Sequence, residues 1–332
     1  MDEFELIARY FAPLAAAEAG ALGLRDDAAV LSLPARRELV VTADMLVEGV
    51  HFRDEDPPES LGVKALAVNL SDLASMGAEP RAYLLTLALP NAWQAERRQR
   101  WLAGFTTGLA GMQREFGIVL VGGDTVSTPG PLALSITAFG TTTPAGAMRR
   151  AGARPGDILW VSGTIGDGAL GLRVLQERLR VADPAARAAL IGRYRQPQPR
   201  VALGRALAGL AHACTDISDG LVADVGHICR ASGVTATLQS AAVPLSPVTA
   251  AAVTGAPALM IAVLTGGDDY ELAFTAAAAD SQEVANRAAQ ADIAVTAIGQ
   301  IAEIPQSGVS SVVVLSESGH PIDYNAAGWR HF

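Results

Sequence analysis

The stretches LVGGDT (residues 120–125) and LTGGDDYEL (residues 264–272) share one pattern, in which an apolar run breaks into Gly-Gly-Asp. Each half of the chain also carries a Ser-Asp pair beside a helical pattern, in NLSDLASMG (residues 69–77) and DISDGLVAD (residues 216–224). A short apolar run bounded by glycines is typical of a buried strand that ends in a turn. The repetition favours a duplicated architecture with two similar halves.

Apolar strands alternate with helical patterns along the chain, which favours an α/β or α+β fold. A chain of 332 residues is long enough for about two domains. Residues 141–157 are rich in glycine, proline and arginine and are the predicted junction. We therefore expect an N-terminal domain over residues 1–143 and a C-terminal domain over residues 144–332.

The expected elements follow from the hydrophobic periodicity. In the first domain we expect helices at residues 3–19, 60–76 and 95–116 and strands at 39–42, 83–89, 118–121 and 132–141. In the second we expect strands at residues 158–162, 234–238, 272–275, 295–300 and 312–315. Three helical patterns are expected in this domain. One follows the glycine turn at residue 163, one spans residues 182–210 with a break, and one begins at TDISDG.

Composition excludes several classes of function. A formal net charge of −9 argues against non-specific nucleic-acid binding, which needs basic patches. No uninterrupted apolar run reaches the ~18 residues of a membrane span, and the acidic, amphipathic start MDEFELIARYF is unlike a signal peptide. Cys214 and Cys229 have neither metal-ligand spacing nor a disulfide framework. We expect a cytoplasmic protein that binds neither nucleic acid nor membrane.

Aspartates repeatedly follow apolar runs at small residues, although charged residues make up only 18% of the chain. They are Asp26, Asp27, Asp44, Asp72, Asp124, Asp216, Asp219, Asp268 and Asp269. Carboxylates beside small residues suit Mg²⁺ and leave room for phosphate. Lys64 is the only lysine, whereas P-loop and protein kinases rely on a positioned lysine. The pattern predicts a magnesium-dependent phosphoryl-transfer enzyme in which metal ions and arginines neutralise phosphate charge.

The motifs around these aspartates also allow purely structural interpretations. Asp124 could cap a tight turn, and Ser218 or Asp219 could be a helix N-cap. Asp72 lies in an apolar helical pattern, where a carboxylate is expected either to pair with an arginine or to bind a cation. The turn GTIGDGALGL fits neither GxxxxGK[ST] nor GxGxxG, so it is a weak phosphate-loop signal.

Three further residues also allow two interpretations each. Arg150 is expected either to clamp phosphate or to lie in a solvated linker. His51 is expected to meet a substrate phosphate or to satisfy a loop carbonyl. Trp329 is expected to stack on a flat heterocycle or to dock the C-terminal tail on the core.

The ordered set RDDAAV, VVTADMLVEGVHF, KALAVNLSDLASMGAEP, VGGDT, RRAGARPGD, TDISDGL, GGDDYEL and GWRHF resembles the thiamine-monophosphate kinase family. That family lies in the superfamily of aminoimidazole ribonucleotide synthetase and selenophosphate synthetase, and the resemblance runs essentially end to end. It implies the two-domain architecture of that superfamily, in a homodimer whose N-terminal domains build a shared barrel. It also implies ATP-dependent phosphorylation of thiamine monophosphate to thiamine diphosphate with several Mg²⁺ ions.

The resemblance also implies roles for individual residues. The implied metal ligands are Asp27, Thr42, Asp44, Asp72, Asp124, Asp216 and Asp219. The implied ATP contacts are Gly123, Asp124, Arg150 and Ser218, and the implied substrate contacts are His51, Asp268 and Trp329. Turnover is expected to depend most on Asp72 and Asp124. The chain departs from the family pattern at Ala43, where a hydroxyl residue is common, and at Asp268, where glutamate is common.

The expected chemistry is direct in-line transfer, in which a terminal phosphate oxygen of thiamine monophosphate attacks the γ-phosphorus of ATP. That oxygen is already largely ionised near neutral pH, so no general base is required. The rivals are a cyclo-ligase, a selenophosphate synthetase, and a nucleotide- or Mg²⁺-binding regulator without catalysis. A selenophosphate synthetase typically needs a reactive cysteine or selenocysteine near its N-terminus, and both cysteines here follow residue 210.

Overall fold

The computed structural model describes residues 3–24, 29, 31–304, 308 and 311–324. The chain divides into two compact units, of which the first comprises Met1–Leu73 with Ala78–Pro144 and the second comprises Ala74–Gly77 with Ala145–Phe332. Among the described residues, none of the helices combines the length and apolar character that a membrane crossing needs.

The described part of the first unit contains a four-stranded sheet. Its strands are β1 (Leu39–Val47), β2 (Glu79–Pro90), β3 (Val119–Thr128) and β4 (Ala133–Thr141), in the order β1-β4-β2-β3. Strands β2 and β3 are parallel, and the other neighbours are antiparallel. Over these described residues the sheet is open, so it does not itself form a closed barrel.

Helices accompany this sheet. They are α1 (Glu3–Leu6), a π-helical turn (Ile7–Phe11), α2 (Ala12–Ala15), a 3₁₀ segment (Ala19–Leu24), α3 (Pro58–Ser75) and α4 (Ala95–Phe116). Helices α3 and α4 approach closely because glycines face the partner backbone. A Cβ at Gly62 would lie 2.2 Å from the carbonyl oxygen of Phe105, and one at Gly108 would lie 2.1 Å from that of Glu59. Any side chain at either position would force the helices apart.

A mixed six-stranded sheet, counted over the described residues, forms the centre of the second unit. Its strands are β5 (Ile158–Ser162), β6 (Ala213–Asp216), β7 (Thr235–Gln239), β8 (Leu272–Ala276), β9 (Val295–Ala302) and β10 (Val312–Leu315), in the order β10-β7-β9-β5-β8-β6. The pair β10 and β7 is parallel and the other pairs are antiparallel. The predominance of antiparallel pairs makes this unit α+β rather than a parallel α/β domain.

Helices of the second unit pack around this sheet and its loops. They are α5 (Asp167–Leu175), α6 (Pro184–Arg195), α7 (Val201–Leu207), α8 (Leu221–Ser232), α9 (Pro247–Gly255), α10 (Leu259–Thr265) and α11 (Ser281–Gln290). Leu159 and Val161 of β5 pack with Val225 and Ile228 of α8 in one buried apolar cluster. This cluster supports the loop that joins β6 to α8.

The two Gly-Gly-Asp stretches have different structures, which corrects the expected strand ends. Strand β3 continues through Gly122 and Gly123, so Asp124 lies inside a strand. Glycine is needed there for close approach, because a Cβ at Gly123 would lie 1.8 Å from the carbonyl oxygen of Leu85. In the second half, the apolar run before Gly266 is the helix α10 and not a strand. The expected repetition of a strand before both stretches is therefore wrong.

Candidate functional site

Thr42 and Asp72 are brought into direct contact in the first unit. Thr42 lies on β1 and Asp72 lies on α3, and the Thr42 hydroxyl donates a short hydrogen bond to Oδ2 of Asp72. Both residues are half-buried, whereas Leu73 next to Asp72 is fully buried. A hydroxyl and a carboxylate held side by side form an oxygen-only donor pair, which suits a hard cation.

Asp44 and Asp124 lie on opposite faces of the sheet. Asp44 is paired with Ile136, which is paired with Leu85. Asp124 is paired with Thr86, the residue after Leu85, and successive strand residues point to opposite faces. Strands β1 and β3 are three strand spacings apart, roughly 14 Å. Within one unit, Asp44 and Asp124 therefore cannot ligate the same ion.

A cavity of about 610 Å³ opens beside Asp124 in the first unit. Gly123, Thr86 and Thr137 line it together with apolar side chains such as Phe139. A volume of this size is within the range of small-molecule sites. Two implied ATP contacts, Gly123 and Asp124, therefore border one cavity.

Lys64 on α3 contacts His51, which lies in the loop after β1. The backbone N–H of Val47 donates to Nδ1 of His51 at 3.0 Å, so the ring proton of the neutral imidazole lies on Nε2. Lys64 is only 3% exposed and donates from Nζ to the carbonyl oxygen of His51 at 3.4 Å. The single lysine of the chain thus supports the His51 loop.

In the second unit, Asp216 ends β6 and is buried, while Ser218 and Asp219 follow in a half-buried turn. Helix α8 begins after this turn, and its N-cap is Gly220, with no side-chain cap. The structural alternative in which Ser218 or Asp219 caps the helix is therefore wrong.

Asp224 fixes that turn and was missed by sequence reasoning. Its Oδ2 accepts hydrogen bonds from the backbone N–H groups of Ser218, Asp219 and Gly220 at 3.1, 3.0 and 3.1 Å. Burial, followed by the nearby Asp219 charge, raises the pKa of Asp224 to about 7. The only sequence signal was an aspartate on the apolar first turn of a helix.

A cluster of candidate cation ligands lies at the same turn. One ligand atom from each of Asp219, Asp224 and His227 falls within 4.8 Å of the others. Burial, with Arg150 and Arg230 nearby, lowers the pKa of His227, which favours its neutral form. Of the two implied metal ligands in the second unit, Asp216 and Asp219, it is Asp219 that belongs to this cluster.

Arg150 is exposed and lies beside β6. Its Nε donates to Oγ1 of Thr215 at 3.2 Å, one residue before Asp216. This contact holds a guanidinium near the carboxylates of the turn. Two other implied site residues, Asp27 and Trp329, lie outside the described residues.

The loop that carries Asp268 is bonded directly to the Ser218 turn. The Asp268 N–H donates to the carbonyl oxygen of Ser218 at 2.9 Å, and the Tyr270 N–H donates to that of Ile217 at 2.8 Å. Asp268 has a positive φ of 69° and Tyr270 one of 52°, so the loop is held in a conformation that side chains rarely adopt. The implied nucleotide contact Ser218 and the implied substrate contact Asp268 are therefore neighbours.

Two buried acidic side chains, those of Asp269 and Glu271, hold this loop in place. Asp269 accepts hydrogen bonds from the N–H groups of Gly166 and Gly168 at 2.8 and 3.2 Å, and burial raises its pKa well above the usual value. Glu271 is 0% exposed, accepts from Ser162 Oγ at 2.6 Å, and forms ion pairs with two arginines. These arginines are Arg193 and Arg200. Sequence reasoning missed Glu271 because nothing local distinguishes it from a surface glutamate.

The chain is similar to known proteins over nearly its whole length. The protein-family model described as AIR synthase related protein, N-terminal domain, matches residues 25–142. The corresponding family model for the C-terminal domain matches residues 154–311. The thiamine-monophosphate kinase of Escherichia coli K12 is 39% identical over 331 residues, which are 99% of this chain and 98% of that protein.

Solved structures give the same result. The crystal structure of thiamine-monophosphate kinase from Stenotrophomonas maltophilia K279a is 41% identical with a TM-score of 0.83, and the match covers 97% of this chain and 98% of that one. The structure of AaThiL complexed with AMPPCP and TMP is 32% identical with a TM-score of 0.76, over 92% of this chain and 91% of that one.

Proposed function

The chain belongs to the thiamine-monophosphate kinase family, and from this we propose that it transfers the γ-phosphoryl group of ATP to thiamine monophosphate. The products are thiamine diphosphate and ADP. The observation that carries the proposal is the match to the E. coli enzyme over 99% of this chain, which includes both compact units. The AaThiL complex with AMPPCP and TMP supports the two substrates.

Mg²⁺ is proposed as the cofactor. Its proposed ligands are Asp27, Thr42, Asp44, Asp72, Asp124, Asp216 and Asp219. Those that the structure describes fit a hard cation, because they offer oxygen atoms only, and Thr42 and Asp72 already share a hydrogen bond. When bound, Mg²⁺ would neutralise charge on the phosphate groups of the two substrates. Because Asp44 and Asp124 lie on opposite sheet faces, we propose more than one ion.

The remaining site residues are proposed to bind and orient the substrates. The absence of a side chain at Gly123 leaves room for phosphate next to Asp124, and Arg150 supplies positive charge beside the Ser218 turn. His51, Asp268 and Trp329 are proposed to contact thiamine monophosphate. The reaction is proposed to be in-line, with an ionised phosphate oxygen as nucleophile, since the second pKa of a phosphate ester is about 6.

A homodimer is proposed from the open face of the first sheet. Val41 and Met45 on β1 are 52% and 58% exposed, and Val126 on β3 is 48% exposed. Large apolar side chains on one sheet face favour contact with another surface. A second copy of the sheet would cover them, and we propose that the two sheets together form a barrel. We also propose a cytoplasmic location, where ATP is available.

A coupled ADP-release assay tests the proposed activity. Purified protein with ATP and Mg²⁺ is expected to release ADP only when thiamine monophosphate is added, with thiamine diphosphate formed in equal amount. ADP release that requires a different added acceptor, and not thiamine monophosphate, would instead favour a sister enzyme. No release with any acceptor, despite ATP binding, would favour the non-catalytic regulator. Loss of release with EDTA and its recovery with Mg²⁺ tests the metal.

A further inference from the structure

The carboxylate of Asp224 has a role beyond holding the start of a helix. We infer that Asp224 is a positioning residue that sets the geometry of two loops at once, the Ser218 turn and the Asp268 loop. The inference rests on the proposed function, because these loops carry implied contacts to ATP and to thiamine monophosphate. Asp224 itself is 1% exposed and is not proposed to touch either substrate.

Three successive N–H groups converge on one oxygen of Asp224. The donors belong to Ser218, Asp219 and Gly220, at 3.0 to 3.1 Å from Oδ2. Such bonds to a carboxylate are stronger than bonds between neutral groups. All three amides precede the first residue of α8, Leu221, so the Asp224 side chain supplies an acceptor to turn residues that lie outside the hydrogen bonds of the helix.

The turn needs such an anchor because its backbone is unusual. Gly220 has a φ of 124°, and a Cβ there would lie 2.6 Å from the carbonyl oxygen of Thr265. The turn is therefore pressed against the end of α10 in a conformation that favours glycine. Without Asp224, the three amides would be left without their acceptor, and the turn would rearrange to find other partners.

A rearranged turn would also move the Asp268 loop. The carbonyl oxygen of Ser218 accepts the hydrogen bond from the Asp268 N–H at 2.9 Å. The contact is tight, because a Cβ at Gly267 would lie only 2.1 Å from that oxygen. The backbone of Ser218 thus donates a hydrogen bond from its N–H to Asp224 and accepts one at its carbonyl oxygen from Asp268. Asp224 therefore acts on both loops through a single residue.

Asp183 offers a matched control in the same unit. Its carboxylate also accepts hydrogen bonds from backbone N–H groups, those of Ala185 and Ala186, at 3.3 and 3.1 Å. It is the exposed N-cap of α6 and has no bond to either loop. If Asp224 were merely structural, Asp224→Ala and Asp183→Ala would differ only in how much stability they remove.

The test measures kcat, the two KM values and Tm for Asp224→Ala, Asp224→Asn and Asp183→Ala. We expect Asp224→Ala to raise KM for ATP and for thiamine monophosphate together by about 10-fold each, since small displacements of binding groups have effects of this size. Asp224→Asn keeps a carbonyl oxygen for the amides and should restore both KM values to within about 3-fold of wild type. Asp183→Ala should lower Tm and leave both KM values unchanged.

Unchanged KM values in folded Asp224→Ala would overturn the inference, and so would a rise for one substrate alone. Should that variant not fold, Asp224→Ser is measured in its place, because serine keeps a side-chain oxygen on a shorter side chain. The same two outcomes apply. Should the wild-type protein release no ADP with thiamine monophosphate, the proposed activity fails first. The inference is then tested by calorimetric binding of ADP, which Asp224→Ala should weaken by about 10-fold. Equal ADP affinity in variant and wild type would overturn it.

Discussion

Replacing Glu271 by its neutral isostere, in Glu271→Gln, is expected to lower the free energy of unfolding of the second unit by about 3 kcal/mol. Glu271 is 0% exposed and is the shared ion-pair partner of Arg193 and Arg200. Removing one member of a buried ion pair costs about 3–5 kcal/mol, because a buried charge is left without compensation. We take the lower end, since the two arginine side chains are 18% and 13% exposed and can be partly hydrated.

The measurable consequence is a fall in Tm. One kcal/mol corresponds to about 2–4 °C in a unit of this size, so Glu271→Gln should melt roughly 6–12 °C below wild type. Differential scanning calorimetry measures this directly.

A surface ion pair provides the control. Glu283 and Arg287 lie four residues apart on α11, 49% and 31% exposed, with Nε and Oε1 2.7 Å apart. Since exposed pairs contribute little, Glu283→Gln should leave Tm unchanged within error. If Glu271→Gln also melted within about 2 °C of wild type, the argument that Glu271 is the required counterion of the two arginines would be refuted.

Other predictions concern the metal, the dimer and the pH dependence of stability. Asp72→Asn should lower kcat more than about 100-fold with little change in Tm, because the amide is a poor Mg²⁺ ligand; near-normal turnover at saturating Mg²⁺ would contradict its role. Met45→Asp places a charge on the exposed sheet face and should shift the mass measured by light scattering from dimer to monomer, whereas a variant that stays dimeric would count against the barrel. The raised pKa of Asp269 means that the folded protein keeps a proton that the unfolded chain releases above about pH 4. The free energy of unfolding should therefore fall as pH rises above that value. Between pH 5 and 8 the urea midpoint should fall less steeply with pH in Asp269→Asn than in wild type. Equal slopes in the two proteins would exclude this contribution.

Strong periodic patterns predicted several elements to the residue. The helix Ala95–Phe116 and the strands Ile158–Ser162 and Val312–Leu315 have the expected bounds. Each is a long amphipathic or compact apolar run with clear ends, so local sequence is sufficient to define it. Strand β6 was not expected, because its four residues, Ala213–Asp216, include a polar threonine and a terminal aspartate.

The two glycine pairs account for the main error in the predicted fold. At Gly122 and Gly123 they permit close strand approach, whereas at Gly266 and Gly267 they separate a helix from a loop. Sequence cannot distinguish these uses, because the deciding neighbours, such as Leu85 beside Gly123, are distant along the chain. The same limit explains why Asp124 was expected at the end of a strand.

The candidate site was partly accessible from sequence for a related reason. Motif reasoning selected Thr42 and Asp72, which are in contact, and Ser218 and Asp268, whose backbones are hydrogen-bonded. It missed Asp224, whose importance depends on where its Oδ2 points. Carboxylates that could contact a ligand leave a signature of small neighbouring residues, whereas those that hold a loop in place are recognised only from their donors.

The burial of Lys64 has a practical consequence for studies of the proposed dimer. Lys64 is the only lysine in the sequence and is 3% exposed, so the protein presents no accessible lysine side chain to a solution reagent. Cross-linkers that acylate lysine would therefore fail to join two copies, even if they were tightly associated. A dihydrazide that couples to activated carboxylates on both copies is the suitable cross-linker, and tryptic fragments for mass spectrometry would be bounded almost entirely by arginine.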